Sequence, residues 1–245
     1  MGDLEEFAEE RRRNIARLGG DEVLANDAVS MTETLIRQRY VFNFDWLGLP
    51  IIQFPPDIIA LQEICWKLKP AVVIETGIAR GGSLALYASM MQLLGSDGFV
   101  IGVDVDIRRH NREAIEAHPL ANRIKLVEGS STDPDTVATV KSMVGNRGPV
   151  LVVLDSLHTK DHALAELEIY SPLVTPGSFV IVQDTAIEVL SEDVYPDRPW
   201  HHGNSPANAV DEFLARPDCR FVVDEDYASK LVFTSTPGGF LRCVA

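Results

Sequence analysis

Residues 72–83, Val-Val-Ile-Glu-Thr-Gly-Ile-Ala-Arg-Gly-Gly-Ser, constrain this chain more than any other stretch. Val72, Val73 and Ile74 form a β-branched run of the kind a parallel strand buried on both faces needs. An acidic residue, a small residue and Gly77 follow, then Gly81 and Gly82. Ser83 stands where a helix starts. Leu84–Leu94 reads as that helix, with Leu84, Tyr87, Met91 and Leu94 spaced at three or four. A strand, a tight glycine turn and a helix are the first half of a nucleotide-binding βαβ unit. The glycines let a ligand approach the backbone, and the helix N-terminus favours a polar or anionic group.

The glycine order is G-x-x-x-G-G, not the G-x-G-x-x-G of a dinucleotide site. Glu75, two places before the first glycine, suits a ligand with an ammonium group and repels a phosphate-rich one. S-adenosylmethionine carries such an ammonium on its methionine end. A tight turn with no ligand is the plainer alternative.

The rest of the chain continues the pattern. Strands are expected at Phe99–Val103, Ile124–Val127, Val150–Leu154 and Ser178–Val182, with helices at Ile107–Ala117, Asp135–Val144 and Lys160–Tyr170 between them. Strand–helix alternation implies an α/β fold, a doubly wound parallel sheet with helices on both faces. Asp104, at the end of the second strand, is placed to accept hydrogen bonds from ribose hydroxyls, with Asp106 as competitor. Ser130, Ser131 and Asp133 lie in a polar loop at the sheet's carboxyl edge and could meet an adenine. Ser-Thr-Asp-Pro is equally a helix N-cap.

The fourth and fifth strands end in Asp155-Ser156-Leu157-His158 and Gln183-Asp184-Thr185. In a doubly wound sheet such endings stand over one cleft. Asp155 and Asp184 would repel there unless a cation or a shared proton lies between them. Together with the amide of Gln183 they fit Mg²⁺ or Ca²⁺ better than zinc. His158 could take a proton from a substrate hydroxyl, with Asp155 as the fallback base. Two separate loop carboxylates and a surface histidine are the plainer reading.

Flanking segments say less. Leu4–Leu18 is an expected helix with a basic run at Arg11-Arg12-Arg13, read as a solvated face. Asp27–Tyr40 is an expected second helix, capped by Asn26 or Asp27. The aromatic-rich Val41–Phe54 covers a pocket or packs on the core or a neighbouring subunit. Asp57–Leu68 is a helix leading into the first strand. Residues Ile187–Pro206, with Tyr195, Trp200, His201 and His202, have the length of an active-site lid. Ala207–Ala215 is the last expected helix, followed by strands at Arg220–Val223, Lys230–Thr234 and Phe240–Val244.

The 245 residues carry a net charge of −14, which argues against nucleic acid as a partner. No apolar run approaches the ~20 residues a membrane span needs. The start lacks a signal peptide's apolar centre, and the three cysteines, Cys65, Cys219 and Cys243, are scattered. A cytoplasmic, reducing location is expected.

Ile74-Glu75-Thr76-Gly77 with Gly81-Gly82-Ser83, Gly102-Val103-Asp104, Leu154-Asp155-Ser156-Leu157-His158, Val182-Gln183-Asp184-Thr185 and Ser235-Thr236-Pro237-Gly238-Gly239-Phe240-Leu241 together resemble the cephalosporin hydroxylase/rhamnosyl O-methyltransferase family. The likeness runs over about residues 58–241. It implies a class I, Rossmann-like methyltransferase with a mostly parallel seven-stranded sheet at 58–245, behind an N-terminal helical extension at 1–57. It implies methyl transfer from S-adenosylmethionine to a hydroxyl of a sugar or glycosylated natural product, assisted by a divalent cation such as Mg²⁺, in a homo-oligomer. The implied cofactor residues are Glu75, Thr76, Gly77, Arg80, Gly81, Ser83, Asp104, Ser130, Ser131 and Asp155, and the implied metal residues Asp155, Gln183 and Asp184. One departure stands out: many relatives carry an acidic residue where this chain has Gln183. Two alternatives remain at this stage, a nicotinamide-dependent oxidoreductase and a non-catalytic binding subunit. The glycine spacing and the lack of a Tyr-x-x-x-Lys pair count against the first.

Overall fold

Val73 and Ile74 face opposite sides of a central sheet, and each side is closed by its own apolar layer. The computed structural model describes residues 2–245. The sheet strands are β1 (Val72–Thr76), β2 (Phe99–Asp104), β3 (Ile124–Glu128), β4 (Val150–Leu154), β5 (Phe179–Val182), β6 (Phe221–Val223) and β7 (Phe240–Cys243). Their order is β3-β2-β1-β4-β5-β7-β6. The first five are parallel, and β7 runs antiparallel to both β5 and β6. β1 and β4 are buried along their whole length, which is why they read as unbroken apolar runs rather than alternating ones.

The helices are α1 (Asp3–Gly19), α2 (Glu22–Arg37), α3 (Pro55–Leu68), α4 (Gly82–Leu93), α5 (Arg109–Glu116), α6 (Pro134–Val144), α7 (Lys160–Tyr170), α8 (Pro206–Leu214) and α9 (Glu225–Lys230). Residues of α3 and α4 pack on Val73, Leu151 and Ile181. Residues of α6, α7 and α8 pack on Ile74, Val152 and Val180. Strand and helix spans match the expected ones to within a few residues.

Two expectations fail locally. The second helix begins at Glu22, because the Asp21 carboxylate accepts a hydrogen bond from Leu24 N at 2.9 Å and caps it there. Asn26 and Asp27 are exposed positions inside it. Lys230–Thr234 is not a strand. Asp224 caps α9 instead, and the chain beyond it is drawn to Asp57, whose carboxylate accepts hydrogen bonds from Thr234 Oγ1 and from Ser235 N at 3.0 Å. The antiparallel closure is made by β6 and β7 alone.

The stretch before α3 forms a strap. Asp45–Trp46 pairs with Leu49–Pro50 in a short ribbon, and Ile51 and Phe54 are buried. Trp46 Nε1 donates to Ser89 Oγ on α4 at 3.1 Å. A Cβ at Gly82 would fall 2.4 Å from Pro50 O, so the strap lies directly on the first turn of α4. α1, by contrast, contains no buried residue. Arg12 and Arg13 sit near Glu9 on its solvated face.

Candidate active site

Parallel register builds the site. Thr76 pairs with Leu154, and Leu154 with Val182. The residues that follow, Gly77, Asp155 and Gln183, therefore stand in a row at the carboxyl edge. Asp155 N donates to Thr76 O and Gln183 N to Leu154 O, each at 2.9 Å. Gly77 has φ +78, and a Cβ on it would lie 2.0 Å from Asp155 O. No side chain fits there, so Gly77 is required by the approach of the β4 backbone as well as by its own conformation.

The glycine turn is held from below and from the side. Ser83 Oγ donates to Glu75 Oε2 at 2.6 Å. Glu75 is fully buried, and burial pushes its carboxyl up to about 8. Thr76 is buried too, with no partner for Oγ1. Gly81 N-caps α4 in a left-handed conformation, and Arg80 beside it is exposed. Asp104 Oδ2 accepts from Ile78 N at 3.0 Å and its Oδ1 from Asp106 N at 3.1 Å. Asp104 rather than Asp106 thus faces the turn.

In the loop after β3, Asp133 is the N-cap of α6, accepting from Asp135 N and Thr136 N. Ser130 Oγ lies 3.1 Å from Thr132 Oγ1. Ser131 Oγ lies 3.2 Å from His162 Nε2, and Ser131 O accepts from Tyr170 OH at 2.7 Å. His162 also meets Ser156 Oγ at 3.1 Å, and Ser156 donates to the buried Glu166 at 2.7 Å. This cluster ties the β3 loop to the β4 loop, and sequence reasoning missed it. The four-residue step from His162 to Glu166 on α7 was the available signal.

Asp155, His158 and Asp184 converge, each offering one ligand atom, with these atoms within 4.8 Å of one another. His158 Nε2 lies 3.2 Å from Asp184 Oδ2. Burial raises the Asp155 carboxyl well above its ordinary value, and the neighbouring Asp184 adds to the effect. Gln183, expected among the metal residues, is turned aside. It is buried, and its Oε1 accepts from Thr236 Oγ1 at 2.6 Å. Successive residues leave a strand on opposite sides, and Asp184 with φ +57 turns the chain so that its carboxylate, not the Gln183 amide, enters the cleft. His158 stands beside the two carboxylates. Asp155 and Asp184 fit a divalent cation such as Mg²⁺ or Mn²⁺, whose charge offsets the repulsion between them.

The 187–206 stretch borders this cluster. Trp200 stands edge-on to His158 with ring centroids 4.8 Å apart, and Tyr195 packs on Trp200. The stretch is tied to α2: Ser191 Oγ donates to Glu33 at 2.6 Å, and Arg37 pairs with Asp193 at 2.7 Å. His201 and His202 turn to backbone carbonyls, away from the three-residue set. A separate cavity of about 410 Å³, lined by Arg11, Trp66, Lys67 and Tyr227 among others, contains none of the expected site residues.

The strand order, the glycine turn at the end of β1 and the carboxylates at the ends of β4 and β5 define a class I methyltransferase. The chain belongs to the Rhamnosyl O-methyltransferase/CmcI family, whose model matches residues 38–244 and so takes in the strap. Membership makes it an S-adenosylmethionine-dependent O-methyltransferase, in place of the nicotinamide-dependent and non-catalytic alternatives. It is 30% identical over 211 residues to the rhamnosyl O-methyltransferase of Mycobacterium tuberculosis, covering 82% of this chain and 81% of that one. The rhamnosyl O-methyltransferase of Mycobacterium leprae is 27% identical over 207 residues, covering 83% and 85%. Among solved structures, CmcI with Mg and S-adenosylmethionine superposes with a TM-score of 0.57 at 23% identity, covering 83% of this chain and 78% of that one. An O-methyltransferase from Bacillus cereus in complex with S-adenosylhomocysteine gives 0.52 at 15% identity, covering 89% and 91%. Among the described residues no helix is long and apolar enough to cross a membrane.

Proposed function

We propose that this enzyme methylates a hydroxyl of a sugar or glycosylated natural product, with a divalent cation held by Asp155 and Asp184. The observation that carries the reading is the convergence of Asp155, His158 and Asp184 beside the glycine turn. Curated relatives at 27% and 30% identity named for rhamnosyl methylation support the sugar acceptor. Bound S-adenosylmethionine supplies an electrophilic methyl group on sulfur, and a bound cation supplies Lewis acidity that favours the alkoxide form of the acceptor.

The protein's own residues do the rest. Gly77 and Gly81 let the cofactor approach the backbone. Asp104 faces the turn where ribose hydroxyls would lie, and Ser130 and Ser131 border the adenine side. His158 turns its Nε2 side to Asp184, which leaves Nδ1 to accept the hydroxyl proton. Asp184 and Trp200 hold the ring in place. The loop around Tyr195 and Trp200 excludes water and shapes the acceptor side. Holding both reactants in line accounts for much of the barrier reduction such an enzyme needs.

The test is Asp155→Ala assayed with labelled S-adenosylmethionine against a panel of glycosylated acceptors, alongside calorimetric titration with S-adenosylhomocysteine. Turnover on a sugar hydroxyl should vanish while cofactor binding persists. Retained turnover would remove Asp155 from the chemistry.

A further inference from the structure

The segment Ser235-Thr236-Pro237-Gly238-Gly239 grips the chain on both sides of Asp184. Val182 N donates to Gly239 O at 2.8 Å, and Ala186 N to Ser235 O at 3.0 Å. Between them, Thr236 Oγ1 donates to Gln183 Oε1 at 2.6 Å and Thr185 Oγ1 to Pro237 O at 2.8 Å. The residues two before, one before, one after and two after Asp184 are thus all held by one short segment. A Cβ at Gly239 would fall 2.2 Å from Val182 O, so the two backbones lie in direct contact.

The grip answers a local problem. Asp184 has φ +57, a left-handed backbone that a residue other than glycine keeps only where its surroundings enforce it. None of the four hydrogen bonds uses Asp184 itself, whose Oδ2 lies 3.2 Å from His158 Nε2 in the cleft. The gripping segment is anchored in turn. The fully buried Asp57 of α3 accepts from Thr234 Oγ1, Ser235 N and Ser235 Oγ, and Thr236 N donates to Thr234 Oγ1 at 2.9 Å. Three of the four bonds around Asp184 end on a backbone carbonyl. The fourth joins the buried side chains of Thr236 and Gln183. Gln183 Nε2 has no partner, so the Thr236 hydroxyl alone fixes the amide of the residue next to Asp184.

We propose that Thr236 is a positioning residue that, through Gln183, holds the Asp184 carboxylate in the cleft. The proposal rests on the reading of Asp184 as a cation ligand given above and adds the residue that places it. Gln183 then has a use although its amide is turned aside: it is the handle by which the segment before β7 sets the direction of Asp184. Asp57 acts one step further back, by fixing Thr234 and Ser235.

The experiment reads cation binding directly. Wild type, Thr236→Val, Thr236→Ser, Gln183→Leu and the Thr236→Val/Gln183→Leu double variant are titrated by calorimetry with Mn²⁺ and, separately, with S-adenosylhomocysteine. Their melting temperatures are recorded as well. Valine keeps the shape of threonine and lacks its donor; serine keeps the donor. Thr236→Val should bind Mn²⁺ about tenfold more weakly, the worth of one good hydrogen bond, and bind S-adenosylhomocysteine as wild type does. Thr236→Ser should bind both as wild type does, even where its lost methyl group lowers the melting temperature. The double variant should bind Mn²⁺ no more weakly than Thr236→Val, since the two residues act through one contact. Unchanged Mn²⁺ affinity in Thr236→Val, or equal weakening toward both ligands, would make Thr236 structural and overturn the proposal. Losses that add in the double variant would show that Thr236 does not act through Gln183 and would overturn it too. Loss in Gln183→Leu with none in Thr236→Val would make the amide itself a ligand, again against the proposal. A folded wild type that binds no Mn²⁺ would instead overturn the cation reading, and the proposal with it.

Discussion

His158 Nε2 lies 3.2 Å from Asp184 Oδ2, a contact that joins the ends of β4 and β5 across the cleft. Trp200 fixes the same ring from another side. A ring held this way is positioned as a base, and His158→Gln should lower kcat by about 10²–10⁴-fold, the usual worth of a positioned proton acceptor. Affinity for S-adenosylhomocysteine should be unchanged by calorimetry. Parallel losses in kcat and cofactor affinity would mark His158 as a structural residue only.

The paired aspartates bear on metal dependence. Dialysis against EDTA should abolish methyl transfer, and added Mg²⁺ or Mn²⁺ should restore it. Asp184→Asn should keep the fold and raise the cation concentration needed for half-maximal activity. Turnover that is indifferent to the chelator would show that the cleft works with the aspartates alone.

Gly77 carries two independent constraints, its φ of +78 and its closeness to Asp155 O. Gly77→Ala meets both, so it should cost about 3 kcal/mol or more in a denaturant titration. Gly48 also has a positive φ, but a Cβ there would have nothing within 4 Å. Gly48→Ala should therefore cost markedly less than Gly77→Ala in the same titration, only about 1 kcal/mol.

Glu75 links stability to pH. Its carboxyl is raised by burial from an ordinary 4.5 to about 8. The folded state thus holds a proton that the unfolded state has lost, and the stability this contributes is full below about 4.5 and disappears as pH rises through about 8. Glu75→Gln keeps the shape and has no proton to lose. Its melting temperature relative to wild type should rise between about pH 4.5 and about pH 8 and level off above, while S-adenosylhomocysteine affinity falls. A pH-independent difference in melting temperature would show that Glu75 ionises freely in the folded protein.

Much of the architecture was legible because the signals are local. Val72–Ile74 and Val150–Leu154 are apolar without alternation, which only a doubly covered strand tolerates, and glycines mark the turn between β1 and α4. The departures trace to longer-range competition. Lys230–Thr234 has strand-like residues, but the buried Asp57 carboxylate, raised by burial to about 6 and held in place by Thr234 and Ser235, draws that segment out of the sheet. Asp21 caps α2 six residues ahead of the expected Asp27, a choice between equivalent carboxylates that spacing alone does not make.

By itself the sequence determined the strand–helix alternation, the glycine turn and the carboxylates that end β4 and β5. These depend on burial pattern and on backbone preferences within a few residues. Tertiary structure decided which side chains meet. Parallel register places Asp155 beside Gly77, the left-handed backbone at Asp184 sends that carboxylate into the cleft and Gln183 out of it, and the strap lays Pro50 and Ile51 on the start of α4. Each of these juxtapositions joins residues distant in the chain, and side-chain direction at a strand end follows from the path of the backbone beyond it, which no short stretch of sequence encodes.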